Sequence, residues 1–135
     1  MTLFLDACVL IYWMESVEPF YSELINNLQN LRRQYPEAKF AVSRLSWLEC
    51  RVKPLRDKDQ FLLELYQQFF ATNDLKIIDL DAQVVDIATG LRAKYNVRTP
   101  DALQVASALA ISDTVLFITG DIKLKRIQDL DVLCL

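Results

Sequence analysis

The sequence has 135 residues, 53% of them hydrophobic, with a net charge of −3 at pH 7. This length suits one domain with a sizeable core, and the composition excludes a disordered chain and, with only two glycines and four prolines, a many-stranded β-sandwich. The absence of histidine excludes Ser-His-Asp and Cys-His catalysis within the chain, and three widely separated cysteines argue against a zinc site or a disulfide framework.

The first part of the chain predicts two short strands and three helical segments. In chain order these are a strand at residues 3–5, a helical turn or two at 8–14, a helix at 20–35, a strand at 39–42 and a helix from 43 or 46 to about 52. The long helix is indicated by apolar residues that recur every three or four positions. Ser46 and Glu49 match a capping box at the start of the last helix, and Pro54 is expected to lie beyond its end.

The second part of the chain continues the alternation of helices and strands. The expected elements are a helix at 57–71, a strand at 75–78, a helix at 82–95 capped by Asp81, a helix from 99 to 109, a strand at 114–118, a short basic helical segment at 123–127 and a strand around 132–133. Thr99 is expected to cap its helix, with Pro100 at the first helical position and Asp101 in the first turn. Alternation of this kind predicts a three-layer α/β/α fold with a largely parallel central sheet of four to five strands.

Four acidic residues fall where such a fold binds ligands. Asp6 and Asp121 follow predicted strands, Glu49 lies on a helix that leaves the same edge of the sheet, and Asp101 begins another helix. Ligands of parallel α/β folds bind outside the carboxyl ends of the strands, so the four acids are expected to converge. Each acid also has a simpler interpretation as a helix cap or a partner of a helix dipole.

Convergence of several carboxylates would favour a bound cation, because like charges repel one another without one. Oxygen-only ligands suit hard ions such as Mg²⁺ or Mn²⁺, and such ions can activate water and stabilise the leaving oxygen of a phosphodiester. This chemistry needs no histidine. Thr119 is a further candidate, either as a hydroxyl ligand or as an ordinary turn residue.

Four segments carry a resemblance to a known family. They are Leu5-Asp6-Ala7-Cys8, Ser46-Trp47-Leu48-Glu49, the stretch from Arg98 to Ala106 that contains Thr99-Pro100-Asp101-Ala102, and Ile118-Thr119-Gly120-Asp121. In order and spacing they resemble the acidic motifs of PIN-domain ribonucleases, and most of all the VapC-type toxins of toxin–antitoxin pairs. The resemblance spans nearly the whole chain, so residues 1–135 are interpreted as a single PIN-like nuclease domain.

The resemblance implies an activity, a cofactor, partners and a site. It implies endonucleolytic cleavage of RNA that depends on Mg²⁺ or Mn²⁺, a homodimer, and inhibition by a cognate antitoxin protein. The implied catalytic and metal-binding acids are Asp6, Glu49, Asp101 and Asp121, with Thr119 as their hydroxyl neighbour. One departure is visible, since Ala7 and Cys8 stand where the family often has Thr, Ser or Asn, which puts a minor polar contact in doubt.

Two other groups of side chains bear on binding. Basic residues occur near three of the four motifs, and Arg98 and Lys123 are the candidates for RNA contact because they lie nearest to site acids. The N-terminal region is rich in large side chains, of which some are candidates for binding an antitoxin segment and most are expected to pack in the core. These are Ile11, Tyr12, Trp13, Phe20 and Tyr21.

Two rival hypotheses remain open from the sequence. One is a non-catalytic α/β module that binds a protein and whose acids only cap helices. The other is an aspartyl phosphotransferase with Asp6 as nucleophile, which is weakened because residue 8 is Cys where the haloacid-dehalogenase pattern has a second Asp. No apolar run reaches the roughly 18 residues of a membrane span, and no basic segment precedes the first apolar stretch, so a cytoplasmic protein without membrane association is expected.

Overall fold

The computed structural model describes all residues from 1 to 135 and contains a central parallel sheet with helices on both faces. The strands are β1 (Thr2–Leu5), β2 (Lys39–Ser43), β3 (Lys76–Ile78), β4 (Val115–Thr119) and β5 (Asp131–Cys134). The helices are α1 (Ala7–Met14), α2 (Phe20–Gln34), α3 (Arg44–Arg56), α4 (Gln60–Phe70), α5 (Ala82–Tyr95) and α6 (Thr99–Leu109), with a 3₁₀ helix at Ile122–Arg126. The predicted three-layer α/β/α fold is therefore confirmed.

Strand order explains where a ligand site can form. The order is β3-β2-β1-β4-β5, and every neighbouring pair is parallel. β2 and β3 therefore lie on one side of β1, and β4 and β5 lie on the other side. The strand order reverses between β1 and β4, where Leu5 pairs with Ile118. In open α/β sheets the crevice at such a switch point, beyond the carboxyl ends of the strands, is the place where ligands bind.

Two apolar cores hold the helices against the sheet. Alternate strand residues face opposite sides, so Phe4 and Phe117 stack at 5.3 Å within the core beneath α5 and α6, while Leu5 and Ile118 belong to the core beneath α1, α2 and α4. All four residues are completely buried. The near-continuous apolar strands are typical of a parallel sheet that is covered on both faces. None of the helices combines the length and the apolar character that crossing a bilayer requires.

Three local predictions about helix ends were wrong. The helix expected to stop before Pro54 runs on to Arg56, because the carbonyls of Lys53 and Pro54 accept hydrogen bonds from the N–H groups of Asp57 and Asp59, in a closing turn with Lys58 in the left-handed conformation. Its N-cap is Ser43, which accepts a hydrogen bond from the N–H of Leu45, so Ser46 and Glu49 form no capping box.

The third wrong prediction concerns the start of α6. Thr99 is the first helical residue and Arg98 is the N-cap, because the Arg98 carbonyl already accepts the helical hydrogen bond from Ala102 N–H. No side chain caps this helix. Pro100 is therefore the second helical residue rather than the first, and the predicted position of Asp101 in the first turn is correct.

Candidate active site

The centre of the candidate site is Asp6, which lies at the switch point between β1 and β4. One carboxylate oxygen, Oδ1, accepts a hydrogen bond from the N–H of Ala7 at 2.8 Å and so caps α1. The other oxygen, Oδ2, accepts a hydrogen bond from the Thr119 hydroxyl at 2.8 Å, which joins the ends of the two strands. Asp6 and Thr119 are both buried. Asp6 therefore caps α1 with one oxygen and lies, as part of the same side chain, at the sheet edge where the site is predicted.

Two further carboxylates act electrostatically on Asp6. Burial raises the pKa of Asp6 from 3.8 to about 6, the hydrogen bonds from Thr119 and Ala7 oppose this rise, and the charges of Asp101 and Glu49 add to it. These acids come from the end of β1, from α6 and from α3. Asp101 and Glu49 are thus each near enough to act on the charge of Asp6.

Asp121 approaches the same edge through Thr119. Its N–H donates to the Thr119 hydroxyl oxygen at 3.1 Å, and its own Oδ1 accepts from the N–H of Lys123 at 3.0 Å and caps the 3₁₀ helix. Asp121 and Asp101 line one open, mainly polar cleft. Thr119 is the last residue of β4 and is completely buried. It is a shared hydrogen-bond partner of two site acids rather than a simple turn residue.

The two basic residues predicted to contact RNA lie in this cleft. Arg98 and Lys123 line it together with Asp101, Asp121 and Arg126. Arg98 Nε is 3.5 Å from Asp101 Oδ2, and the Arg98 side chain is 83% exposed, so the guanidinium is free to reach a phosphate. Basic and acidic side chains therefore share one surface beside Asp6.

Glu49 is held by a side chain that sequence reasoning missed. Gln104, on α6, donates from Nε2 to Glu49 Oε1 at 3.0 Å and to Ser46 Oγ at 2.9 Å. Gln104 and Ser46 are both buried. The available signal was the polar residue Gln104 within an otherwise small and apolar helix, at a spacing of three residues from Asp101.

Cys8 is one of the two residues that stand where PIN-domain ribonucleases often have Thr, Ser or Asn, and its thiol makes some of the contacts that a polar residue would make there. Its sulfur lies 3.8 Å from Asp6 Oδ2 and 3.9 Å from Thr119 Oγ1, and accepts a hydrogen bond from Gly120 N–H at 3.4 Å. Burial and the charge of Asp6 raise the pKa of the Cys8 thiol from 9.0 to about 12. Cys8 is therefore a neutral thiol at physiological pH, and it keeps a weakly polar contact beside Asp6.

The aromatic residues of the N-terminal region differ in how they pack. Trp13 lies edge-on to Phe40 and Phe69, and Tyr12 stacks on Phe20 at 4.4 Å. Trp13 also borders a largely apolar groove whose other side is formed by Leu28 of α2 and by Tyr35, which follows α2. Of the five large N-terminal residues, only Ile11 and Trp13 pack against an apolar core, so the expectation that most of them do so was wrong.

The donor set fits a hard divalent cation. The acids and Thr119 offer only oxygen, and Mg²⁺ is usually held by only one or two carboxylates together with water and substrate phosphates. No three acidic or cysteine side chains lie close enough together to form a complete cage for one ion. The residues present therefore suit sparse coordination by a few carboxylates rather than a closed all-protein site.

Comparisons with known proteins agree with this geometry. A family model described as the PIN domain matches residues 3–130. The VapBC2 structure from Rickettsia felis, bound to a DNA fragment from its promoter, superposes with a TM-score of 0.73 at 22% identity, covering 99% of this chain and 98% of that one. No curated protein matches the sequence.

Two other solved structures are similar over nearly their whole length. A toxin–antitoxin complex from Klebsiella pneumoniae has a TM-score of 0.68 at 20% identity, covering 98% of this chain and 96% of that one. VapBC-1 from nontypeable Haemophilus influenzae has a TM-score of 0.67 at 17% identity, with coverages of 99% and 98%. At these identities the likenesses establish the fold alone.

Proposed function

This chain belongs to the PIN-domain family, and from that membership we propose that it is a metal-dependent endoribonuclease that hydrolyses RNA phosphodiester bonds with Mg²⁺ or Mn²⁺. One observation supports this activity most directly. At the switch point of the sheet, burial raises the pKa of Asp6, and repulsion from the charges of Asp101 and Glu49, which come from separate elements, adds to that rise. A divalent cation relieves such repulsion.

The proposed roles follow from the contacts of each side chain. Asp6, Glu49, Asp101 and Asp121 are the proposed site acids, of which one or two would supply carboxylate oxygens directly to the ion, and Thr119 keeps Asp6 oriented by donating to its Oδ2. When bound, the ion would activate water and stabilise the leaving oxygen of the phosphodiester. Arg98 and Lys123, in the cleft with Asp101 and Asp121, would hold the RNA backbone by its phosphates.

A substitution at Asp101 tests the activity. We expect Asp101→Asn to abolish metal-dependent cleavage of single-stranded RNA and to leave the far-ultraviolet circular dichroism spectrum unchanged, since its side chain makes no capping hydrogen bond. EDTA should abolish cleavage by the wild-type protein. Asp86→Asn, which removes an exposed carboxylate from α5, is the matched control and should cleave normally. Retained cleavage by Asp101→Asn would overturn the proposal.

A non-catalytic binding module is the second candidate, because Asp6 and Asp121 do cap helical segments. Capping alone gives no specific affinity for a cation, whereas the nuclease should bind Mn²⁺ at a defined stoichiometry in isothermal titration calorimetry. Absence of Mn²⁺ binding would favour the binding module. The family match gives no support to the aspartyl phosphotransferase hypothesis.

We further propose that the protein is a VapC-type toxin with a cognate antitoxin and that it forms a homodimer. Support comes from the structural neighbours, which are two VapBC structures and a toxin–antitoxin complex. Expression of the wild-type chain should arrest growth, and co-expression of the protein encoded by an adjacent short gene should relieve the arrest and co-purify with it. Light scattering of the purified chain should give twice the monomer mass.

A further inference from the structure

Gln104 combines three properties that set it apart from the rest of α6. It is only 2% exposed, its Nε2 donates to both Glu49 and Ser46, and its Oε1 is a buried polar atom with no hydrogen-bond donor in the protein. Asp101, Gln104 and Ser107 recur at a spacing of three residues, so each is a neighbour of the next along a line that winds around the helix. That line begins at the candidate site.

The orientation of the amide is fixed by its neighbour. Reversing the amide would place the carbonyl oxygen of Gln104 against the carboxylate of Glu49, and two acceptors cannot form a hydrogen bond. Only the observed orientation gives Glu49 a donor. Gln104 Oε1 therefore stays without a partner as long as Glu49 is ionised.

The unpaired carbonyl is unfavourable for folding. A buried carbonyl without a donor costs roughly 1–3 kcal/mol, which offsets part of the stabilisation from the two hydrogen bonds that Gln104 donates. The next polar residue on the line is different, because Ser107 Oγ has partners in Ser43 Oγ at 3.0 Å and in the Leu103 carbonyl at 2.8 Å. Of the two, only Gln104 contacts a site acid, so its presence is better explained by the site than by stability.

We propose that Gln104 is a positioning residue that holds the Glu49 carboxylate in the orientation needed to bind the divalent cation. The inference rests on the proposed function. An amide suits this task because it donates a hydrogen bond without adding positive charge, whereas a lysine or arginine in the same place would compete with the cation for Glu49. The contact also ties α3 to α6, the two helices that carry Glu49 and Asp101.

The test is the variant Gln104→Met, which keeps the approximate volume and removes the donor. Mn²⁺ affinity is measured by isothermal titration calorimetry, and thermal unfolding is measured in EDTA. We expect Mn²⁺ binding to weaken by about 10-fold or more, as is usual for residues that orient a metal ligand; the melting temperature in EDTA shows whether the variant is folded at the temperature of the titration. Ser107→Ala, one turn further along α6, is the matched control and should keep its Mn²⁺ affinity within about twofold.

Each result decides the inference. Unchanged Mn²⁺ affinity in Gln104→Met, with or without a loss of stability, would show a purely structural role and overturn it. A wild-type protein that binds no Mn²⁺ would overturn the proposed function, and the inference with it. If Gln104→Met does not fold, the side-chain amide resonances of Gln104 in the wild-type protein should shift during a Mg²⁺ titration with the midpoint of Mg²⁺ binding, and unshifted resonances would overturn the inference.

Discussion

At Asp6 the structural and chemical tasks are divided between the two oxygens of one carboxylate. Oδ1 caps α1 and Oδ2 receives the Thr119 hydroxyl, yet burial and two neighbouring acids still raise the pKa of Asp6 to about 6. Because the pKa in the folded protein lies above the unfolded value of about 3.8, the unfolded state loses this proton first as pH rises. Stability should therefore fall between about pH 4 and 6 and stay reduced above that range.

Asp6→Asn should remove this pH-dependent loss. A pKa rise of about two units corresponds to at most about 3 kcal/mol of destabilisation at neutral pH, so in EDTA the variant should gain up to that amount over the wild-type protein between pH 4 and pH 7.5. Urea unfolding at the two pH values measures the difference. If the free energy of unfolding changed by the same amount with pH in both proteins, the prediction would be contradicted. Saturating Mg²⁺ at pH 7.5 should stabilise the wild-type protein and not the variant.

At the scale of elements, the junction between β4 and the 3₁₀ helix leaves no space for a side chain. A Cβ atom on Gly120 would lie 2.7 Å from the Tyr12 hydroxyl oxygen and 3.0 Å from Tyr12 Cε2. The Tyr12 ring stacks on Phe20, with an angle of 13° between the ring planes, so it cannot move away without losing that contact. The glycine thus lets α1 pack directly against the segment that carries Thr119 and Asp121.

Gly120→Ala should destabilise the protein by about 1–3 kcal/mol, the usual cost of overpacking. Gly90→Ala is the matched control: it lies within α5, nothing comes within 4 Å of the added Cβ, and it should stabilise by roughly 0.5–1 kcal/mol through helix propensity. Differential scanning calorimetry should therefore show melting temperatures that move in opposite directions. A Gly120→Ala protein as stable as the wild type would show that Tyr12 moves without cost.

Helices were predicted well from the sequence where the spacing of apolar residues alone determines their position. The spacing of apolar residues located α2 and α5, and Asp81 is the N-cap of α5 as expected, since it accepts a hydrogen bond from Val84 N–H. Helix ends were harder because tertiary contacts compete with local signals. Ser46 and Glu49 match a capping box, but both side chains are hydrogen-bonded by Gln104 from α6, a contact between residues 55 to 58 positions apart.

The same limit applies to the site. The order of strands and acids predicts that Asp6, Glu49, Asp101 and Asp121 lie toward one edge, because parallel strands end together, and Asp6 and Asp121 do share Thr119 as a hydrogen-bond partner there. The support given by Gln104 and the apposition of Tyr12 and Gly120 depend on how helices pack across the sheet. No local pattern encodes those contacts.

For the whole molecule, the net charge is −3, but the charged residues are unevenly distributed over the surface. The cleft that Asp101 and Asp121 line also contains Arg98, Lys123 and Arg126, so a basic rim of these three residues lies next to two of the four proposed site acids. A phosphate backbone would meet both the rim and the ion. Binding of RNA by an acidic protein should then depend on these few cations, and it should weaken steeply with salt because bound phosphates release their counterions.

Replacing both Arg98 and Lys123 with alanine should weaken binding of single-stranded RNA at low salt and flatten its salt dependence. Each lost phosphate contact lowers the slope of log affinity against log salt by about 0.7 for single strands, so two contacts should lower it by about 1.4. Fluorescence anisotropy in EDTA measures binding without cleavage. The control pair, Lys39→Ala with Lys76→Ala, removes the same charge at the starts of β2 and β3, and should leave the slope unchanged. Equal losses in both pairs would show that only net charge matters and that the rim has no specific role.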